Sequence, residues 1–210
     1  VERSRGLGDV YKRQVLACDD IEEAVDKFGP NIAVEDETRK LTYREFEALA
    51  NRYANWAKSR NLKRSDVIAL VMHNRVEYVA AWFGFSKVGV ATALINNNLT
   101  GAALAHCLTI STAFNVVTDE DCWQAVEDAR GLVDRNLMIW VHGLGEENET
   151  NARRDLDNAV RSASSVRPDR SLRQGMTNRD TALYIFTSGT TGLPKACLLY
   201  TSDAADDLLC

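Results

Sequence analysis

The chain is poor in residues that announce several common chemistries: its 210 residues include only three prolines, three histidines and five cysteines. The histidines, His73, His106 and His142, are scattered and no C-x-x-C pair occurs. Reading along the chain therefore gives neither a metal constellation nor a disulfide framework, and a reducing compartment is the default. No apolar run approaches the roughly twenty residues that a membrane-spanning helix needs. Positive charge is not in excess either: 25 basic against 30 acidic residues give a net charge of −5, which provides no general affinity for nucleic acid or anionic lipid. No internal repeat is evident.

What the sequence does contain is alternation. Val67 to Met72 is a continuous apolar run, too short for a helix and rich in β-branched side chains, and reads as a strand buried on both faces. Thr42 with Glu45 three residues on forms a capping box. Phe46, Leu49, Ala50, Tyr53, Ala54 and Ala57 follow at helical spacing, which predicts a helix to about Arg60. A short helix over 21–28 and a hairpin pairing 31–34 with 40–42 are expected before it. After the first buried run, strands are predicted over 90–95, 114–117, 137–141 and 180–186. Helices are predicted over 75–88, capped by Asn74, and over 100–110, 121–129 and 152–163, with 164–179 as a long linker. Strands and helices in turn, joined by short loops, specify an α/β fold with a parallel sheet flanked by helices.

The last predicted strand runs into Thr187, Ser188, Gly189, Thr190, Thr191, Gly192, Leu193, Pro194 and Lys195, hydroxyls and glycines closed by a cation. That composition suits a polyphosphate: glycines let backbone N–H groups approach an oxyanion closely, hydroxyls add donors, and the lysine supplies positive charge. A Walker A loop is excluded because Leu193 and Pro194 separate Gly192 from Lys195, and Ala196 stands where a metal-binding hydroxyl would follow.

The two ends stand apart. Residues 9–14, D-V-Y-K-R-Q, back-translate to a DNA whose reverse complement, read one base later, encodes Cys197 to Ser202. Residues 1–14 and 197–210 therefore resemble read-through of a library adapter and are expected to take no part in the fold, leaving 15–196 as domain sequence.

T-S-G-T-T-G-L-P-K resembles the phosphate loop of the adenylate-forming enzymes, the superfamily of acyl-CoA synthetases. L-T-Y-R-E-F from Leu41, D-V-I-A-L-V-M-H-N-R-V-E-Y and W-F-G-F-S-K-V-G-V are similar to the N-terminal part of their large adenylation domain. A-L-I-N-N-N-L and A-L-A-H-C-L, with Ala196 after the lysine, resemble more narrowly the fatty acid transport proteins, also called very-long-chain acyl-CoA synthetases. The resemblance implies an ATP-dependent long-chain fatty acyl-CoA ligase that supports fatty acid uptake, with ATP, Mg²⁺, coenzyme A and a fatty acid as its small-molecule partners. It also implies membrane association, at the endoplasmic reticulum or plasma membrane, with the catalytic domain on the reducing, cytosolic side. It assigns phosphate binding to Thr187, Ser188, Gly189, Thr190, Thr191, Gly192 and Lys195. Short-chain, aryl and carnitine-type CoA ligases are the alternatives within the superfamily, and a non-enzymatic lipid-uptake component is the alternative outside it. In such enzymes the adenine, ribose and metal motifs and the catalytic lysine lie downstream of this loop, so the chain as it stands is expected to be inactive.

Other conspicuous residues read more plainly. Asn96, Asn97 and Asn98 end a parallel strand, a position where ligands often bind and where cap and turn duty is at least as well suited. His106 and Cys107 are adjacent on a helix and cannot share a face, which suits packing better than a nucleophilic pair. Trp82, Phe83 and Phe85 suit either an acyl tunnel or core, and His73 suits a turn.

Overall fold

Val67–Val71 forms a strand, β3, in which all five side chains are buried, as its apolar run requires. Its neighbours follow from the alternation. The computed structural model describes residues 16–144, 153–177, 180–187 and 192–200. Before β3 come α1 (Ala17–Phe28), β1 (Ile32–Glu35), β2 (Lys40–Thr42) and α2 (Tyr43–Ser59); after it come α3 (Val76–Ser86), β4 (Ala91–Leu94), α4 (Gly101–Ser111), β5 (Asn115–Asp119), α5 (Trp123–Arg130) and β6 (Met138–His142). The remainder is β7 (Arg153–Asp155), α6 (Leu156–Arg161), a 3₁₀ turn (Arg170–Arg173), β8 (Thr181–Thr187) and β9 (Lys195–Tyr200). A sheet of order β7-β6-β5-β3-β4-β8-β9 results, parallel except for the β8–β9 pair.

The two-residue period of β3 divides the core. Ile68 and Leu70 face one layer with Tyr53, Trp56, Phe83 and Phe85 from α2 and α3. Val67, Ala69 and Val71 face the other with Leu104 and Leu108 of α4 and Val126 of α5. The reason is topological: β3 to β4 runs one way along the sheet and β5 to β6 the other, so right-handed crossovers put α3 and α5 on opposite faces. Between β3 and β5 the chain therefore switches direction, and a crevice opens at their carboxyl ends.

Local signals behave as the sequence indicates at α2, where Thr42 Oγ1 accepts from Glu45 N at 3.3 Å and Glu45 Oε2 accepts from Thr42 N at 2.8 Å. α2 and α3 cross closely at Gly84, where an added Cβ would lie 2.4 Å from the Ala50 carbonyl oxygen. Trp56 stacks edge-on against Trp140 and extends the same layer toward β6.

Four expectations need correction. Arg75, not Asn74, is the N-cap of α3, without a side-chain cap bond. The first helical amide, Val76 N–H, instead donates to Asp36 Oδ2 at 3.1 Å, a carboxylate in the β1–β2 turn. Residues 153–155 form β7 rather than the start of a helix. Its R-R-D sequence lacks apolar alternation, as suits a short, charged edge strand. The 164–179 linker is tied down by arginines: Arg167 pairs with Asp26 and Glu47, and Arg170 and Arg173 pair with Glu22. Last, residues 197–200 do not stay outside the fold. They continue β9, with Cys197 opposite Ile185 and Leu198 opposite Tyr184, because an apolar, β-prone stretch lies next to an otherwise unpaired edge of β8.

Candidate functional site

The candidate phosphate loop is the connection of the β8–β9 hairpin. β8 is parallel to β4, with Leu94 opposite Ile185, so its last residue, Thr187, stands at the carboxyl edge of the sheet, where open α/β sheets hold ligands. Thr187 pairs with Lys195, the first residue of β9. The pairing anchors both ends of the loop and orients Lys195, which is exposed. Gly192 has φ +142°, a region that favours glycine, and open space where a Cβ would stand. Ser188, Gly189, Thr190 and Thr191 lie outside the described residues.

Side chains of other elements reach both ends of this hairpin. At the start of β8, Arg64 donates to Asp180 through Nε at 2.9 Å and Nη2 at 2.7 Å. Burial opposes ionisation of Asp180, but bonds from Thr177 and Arg64 outweigh it and keep the carboxyl below its ordinary range. At the other end His106 Nε2 lies 3.1 Å from the Pro194 carbonyl oxygen, the residue before Lys195. Sequence reasoning gave His106 to packing; a histidine on the face of α4 that turns toward β9 could be found only once the hairpin was placed.

Asn96, Asn97 and Asn98 follow β4 along the same carboxyl edge, and Asn96 Oδ1 accepts from Asn98 N at 2.9 Å, a local turn. Further along it lie His73 after β3, Asp119 at the end of β5 and His142 at the end of β6, with Asp119 and His142 in register. Asp119 Oδ2 accepts from His73 N at 2.8 Å and contacts His73 Nδ1 at 2.9 Å. Cys122 Sγ lies 3.7 Å from the same nitrogen. Burial, reinforced by Asp119, pushes the Cys122 thiol up to about 12, so it is not an activated nucleophile.

Cavities flank these elements. One of about 920 Å³ lies between the β1–β2 turn and the switch crevice, lined by charged groups including Asp36, Arg39, Arg75, Glu77 and Glu120. Another, about 730 Å³, is apolar and runs beneath β8 along Ile21, Phe46, Trp82, Phe83, Val90 and Leu183. Trp82 and Phe83 line it, whereas Phe85 is fully buried core. Thr187, Gly192 and Lys195 line neither cavity.

The sequence matches the family of the AMP-binding enzyme over residues 21–208. It is 33% identical over 160 residues to long-chain fatty acid transport protein 6 of Mus musculus, covering 75% of this chain and 25% of that protein. It is 28% identical over 176 residues to a medium/long-chain fatty acid–CoA ligase of Mycobacterium tuberculosis, covering 82% of this chain and 27% of that one. The fold is similar to the crystal structure of an anthranilate CoA ligase in complex with anthranoyl-AMP, with TM-score 0.79, 21% identity and 90% of this chain and 35% of that chain covered. The chain thus spans about a quarter of the length of the curated relatives it matches.

Proposed function

This chain belongs to the AMP-binding enzyme family, within the adenylate-forming acyl-CoA ligases, and from that premise we propose that the protein it represents is an ATP-dependent long-chain fatty acid–CoA ligase. In the proposed reaction the fatty acid carboxylate attacks the α-phosphate of ATP, pyrophosphate leaves, and the coenzyme A thiol then displaces AMP from the acyl adenylate. The observation that carries the reading is the hairpin loop of 187–195 at the carboxyl edge of the sheet, closed by the Thr187–Lys195 pair.

The loop's part is electrostatic. Pyrophosphate gains charge as it leaves, and the loop N–H groups, the hydroxyls of Thr187, Ser188, Thr190 and Thr191 and the Lys195 ammonium stabilise that charge, with Gly189 and Gly192 admitting the phosphates closely. The stretch from Thr187 to Lys195 contains no carboxylate, so it fits the triphosphate and not the Mg²⁺ that accompanies it. The apolar cavity beneath β8 suits an acyl chain better than a polar substrate, which supports the fatty acid over a small polar acid. Uptake of fatty acid and membrane association at the endoplasmic reticulum or plasma membrane belong to the same proposal and are supported by the relatives' names as transport proteins. No helix among the described residues is long and apolar enough to cross a membrane.

The test is pyrophosphate–ATP exchange by the full-length protein, with palmitate, benzoate and anthranilate as competing acids. Palmitate-dependent exchange that collapses in Lys195→Ala is the expected result. Exchange with the aryl acids alone would reassign the substrate, and uptake that survives Lys195→Ala without any exchange would favour a non-enzymatic carrier.

A further inference from the structure

The switch crevice between β3 and β5 holds a group of side chains for which the ligase reading has no use. Nδ1 of His73, a carboxylate oxygen of Asp119 and Sγ of Cys122 lie within 4.8 Å of one another. β3 and β8 are two strand spacings apart across β4, about 10 Å, so this group and the phosphate loop occupy different stretches of the same edge.

The arrangement does not fit a Cys-His-Asp relay. In such a relay the thiol and the carboxylate address opposite nitrogens of the imidazole, so that a proton taken at one is balanced by orientation at the other. Here both address Nδ1: Asp119 Oδ2 at 2.9 Å and Cys122 Sγ at 3.7 Å. Three donors that converge on one point from one side of a ring are instead what a coordinated cation requires. We propose that His73, Asp119 and Cys122 bind one divalent transition-metal ion of the zinc class, with the fourth position open to solvent.

Several features support this site. Zinc bonds of about 2.1 Å to nitrogen and 2.3 Å to sulfur, set tetrahedrally, separate the two ligand atoms by about 3.6 Å, close to the spacing present. The Nδ1–Oδ2 separation must open by a few tenths of an ångström, which rotation of the His73 ring supplies, since that side chain is 48% exposed. Asp119 is fully buried but held in place: Oδ1 accepts from Asp121 N at 3.2 Å and Cys122 N at 2.9 Å, while Oδ2 accepts from His73 N. These backbone bonds remain when a cation replaces the proton at Nδ1, and they act as the outer shell that orients a ligand. Asp121 Oδ2 lies 3.9 Å from His73 Nδ1 and is 67% exposed, which gives the ion an entry side. A nitrogen, sulfur and carboxylate set selects zinc, cobalt or nickel over magnesium or calcium. Coordination deprotonates a thiol outright, so the protonated state of free Cys122 does not bar it. Arg75 Nη2, 4.0 Å from Asp119 Oδ2, opposes the cation and limits affinity. A bound ion would staple the carboxyl ends of β3 and β5 together, whether or not the protein is a ligase.

The test is titration of the 210-residue chain with Co²⁺ under metal-free reducing conditions. One equivalent should bind with a thiolate-to-cobalt charge-transfer band and the visible spectrum of a tetrahedral site, and Zn²⁺ should displace it. Cys122→Ser should abolish the charge-transfer band, and Cys107→Ser should retain it. His73→Ala, at an exposed ring whose loss leaves the core intact, should weaken binding by more than about tenfold. Arg75→Gln should tighten binding. A chain that gives no charge-transfer band, or a band that persists in Cys122→Ser or binds equally in His73→Ala, overturns the site.

Discussion

His106 Nε2 stands 3.1 Å from the carbonyl oxygen of Pro194, 88 residues away in sequence. Helix α4 thereby touches the backbone immediately before Lys195, which pairs with Thr187 at the end of the β8–β9 ladder. The tautomer that carries hydrogen on Nε2 donates to this carbonyl, and the imidazole becomes part of the frame of the loop.

Removing that donor should loosen the loop more than the fold. A single hydrogen bond contributes about 0.5–1.5 kcal/mol, so His106→Ala should raise the local opening of the hairpin by roughly two- to tenfold. Tryptic cleavage after Lys195, followed by mass spectrometry under native conditions, reads this opening. His106→Gln, which keeps an N–H donor, should recover part of the protection. Equal cleavage rates in all three proteins would show that the contact contributes nothing.

The charged cluster beneath the linker should be a main support of the fold. Lys87 is fully buried and reaches Glu22 at 3.1 Å, Glu47 at 2.9 Å and Asn51 at 2.5 Å. Burial opposes the charge on Glu22, but its bonds to Arg173 and Lys87 prevail and hold the carboxyl below the usual range. A lowered folded value means that Glu22 contributes stability above its unfolded value, about 4.3, and that this contribution is lost as pH falls through the folded value. Lys87→Met should destabilise by about 1–3 kcal/mol: Glu22 keeps Arg173 and Glu47 keeps Arg167, but Glu22 Oε1 and Asn51 Oδ1 lose their buried cation. Urea unfolding at neutral pH and at successively lower pH measures both effects.

His142 gives a dependence of opposite sign. Burial lowers its affinity for a proton, yet the hydrogen bond and charge of Asp157 outweigh burial and raise it above the ordinary histidine value. The pair therefore contributes stability that is fully present below about pH 6.5 and lost as pH rises through the raised folded value. In Asp157→Asn the His142 titration, followed by NMR of the ring protons, should move down. A His142 that titrates unchanged in that variant would remove the basis of the prediction.

Gly84→Ala should destabilise although it adds only a methyl group. The new Cβ would stand 2.4 Å from the Ala50 carbonyl oxygen and 2.7 Å from Tyr53 Cβ, and backbone cannot yield as a flexible side chain would. Overpacking of this kind costs about 1–3 kcal/mol, readable as a lower urea midpoint with unchanged slope. An unchanged midpoint would mean that α2 and α3 separate freely.

The parallel α/β class, the capping box of Thr42 and Glu45, the buried run of β3 and the strand that carries the candidate loop are all legible in the residue order alone. Each is written in residues close together along the chain, as a period, a cap or a glycine pattern, so neighbours suffice to read it. Contacts between distant stretches are legible only in the fold. His73 meets Asp119 across 46 residues, and Arg173 meets Asp19 across 154. The first pair exists because strand order sets β3 beside β5, the second because the 3₁₀ turn packs back on α1, and no local pattern encodes either. The same reason hid β7, an edge strand whose pairing depends on a partner's open edge and not on its own periodicity; residues 197–200 of β9 escape the sequence reading for another reason, their likeness to adapter read-through.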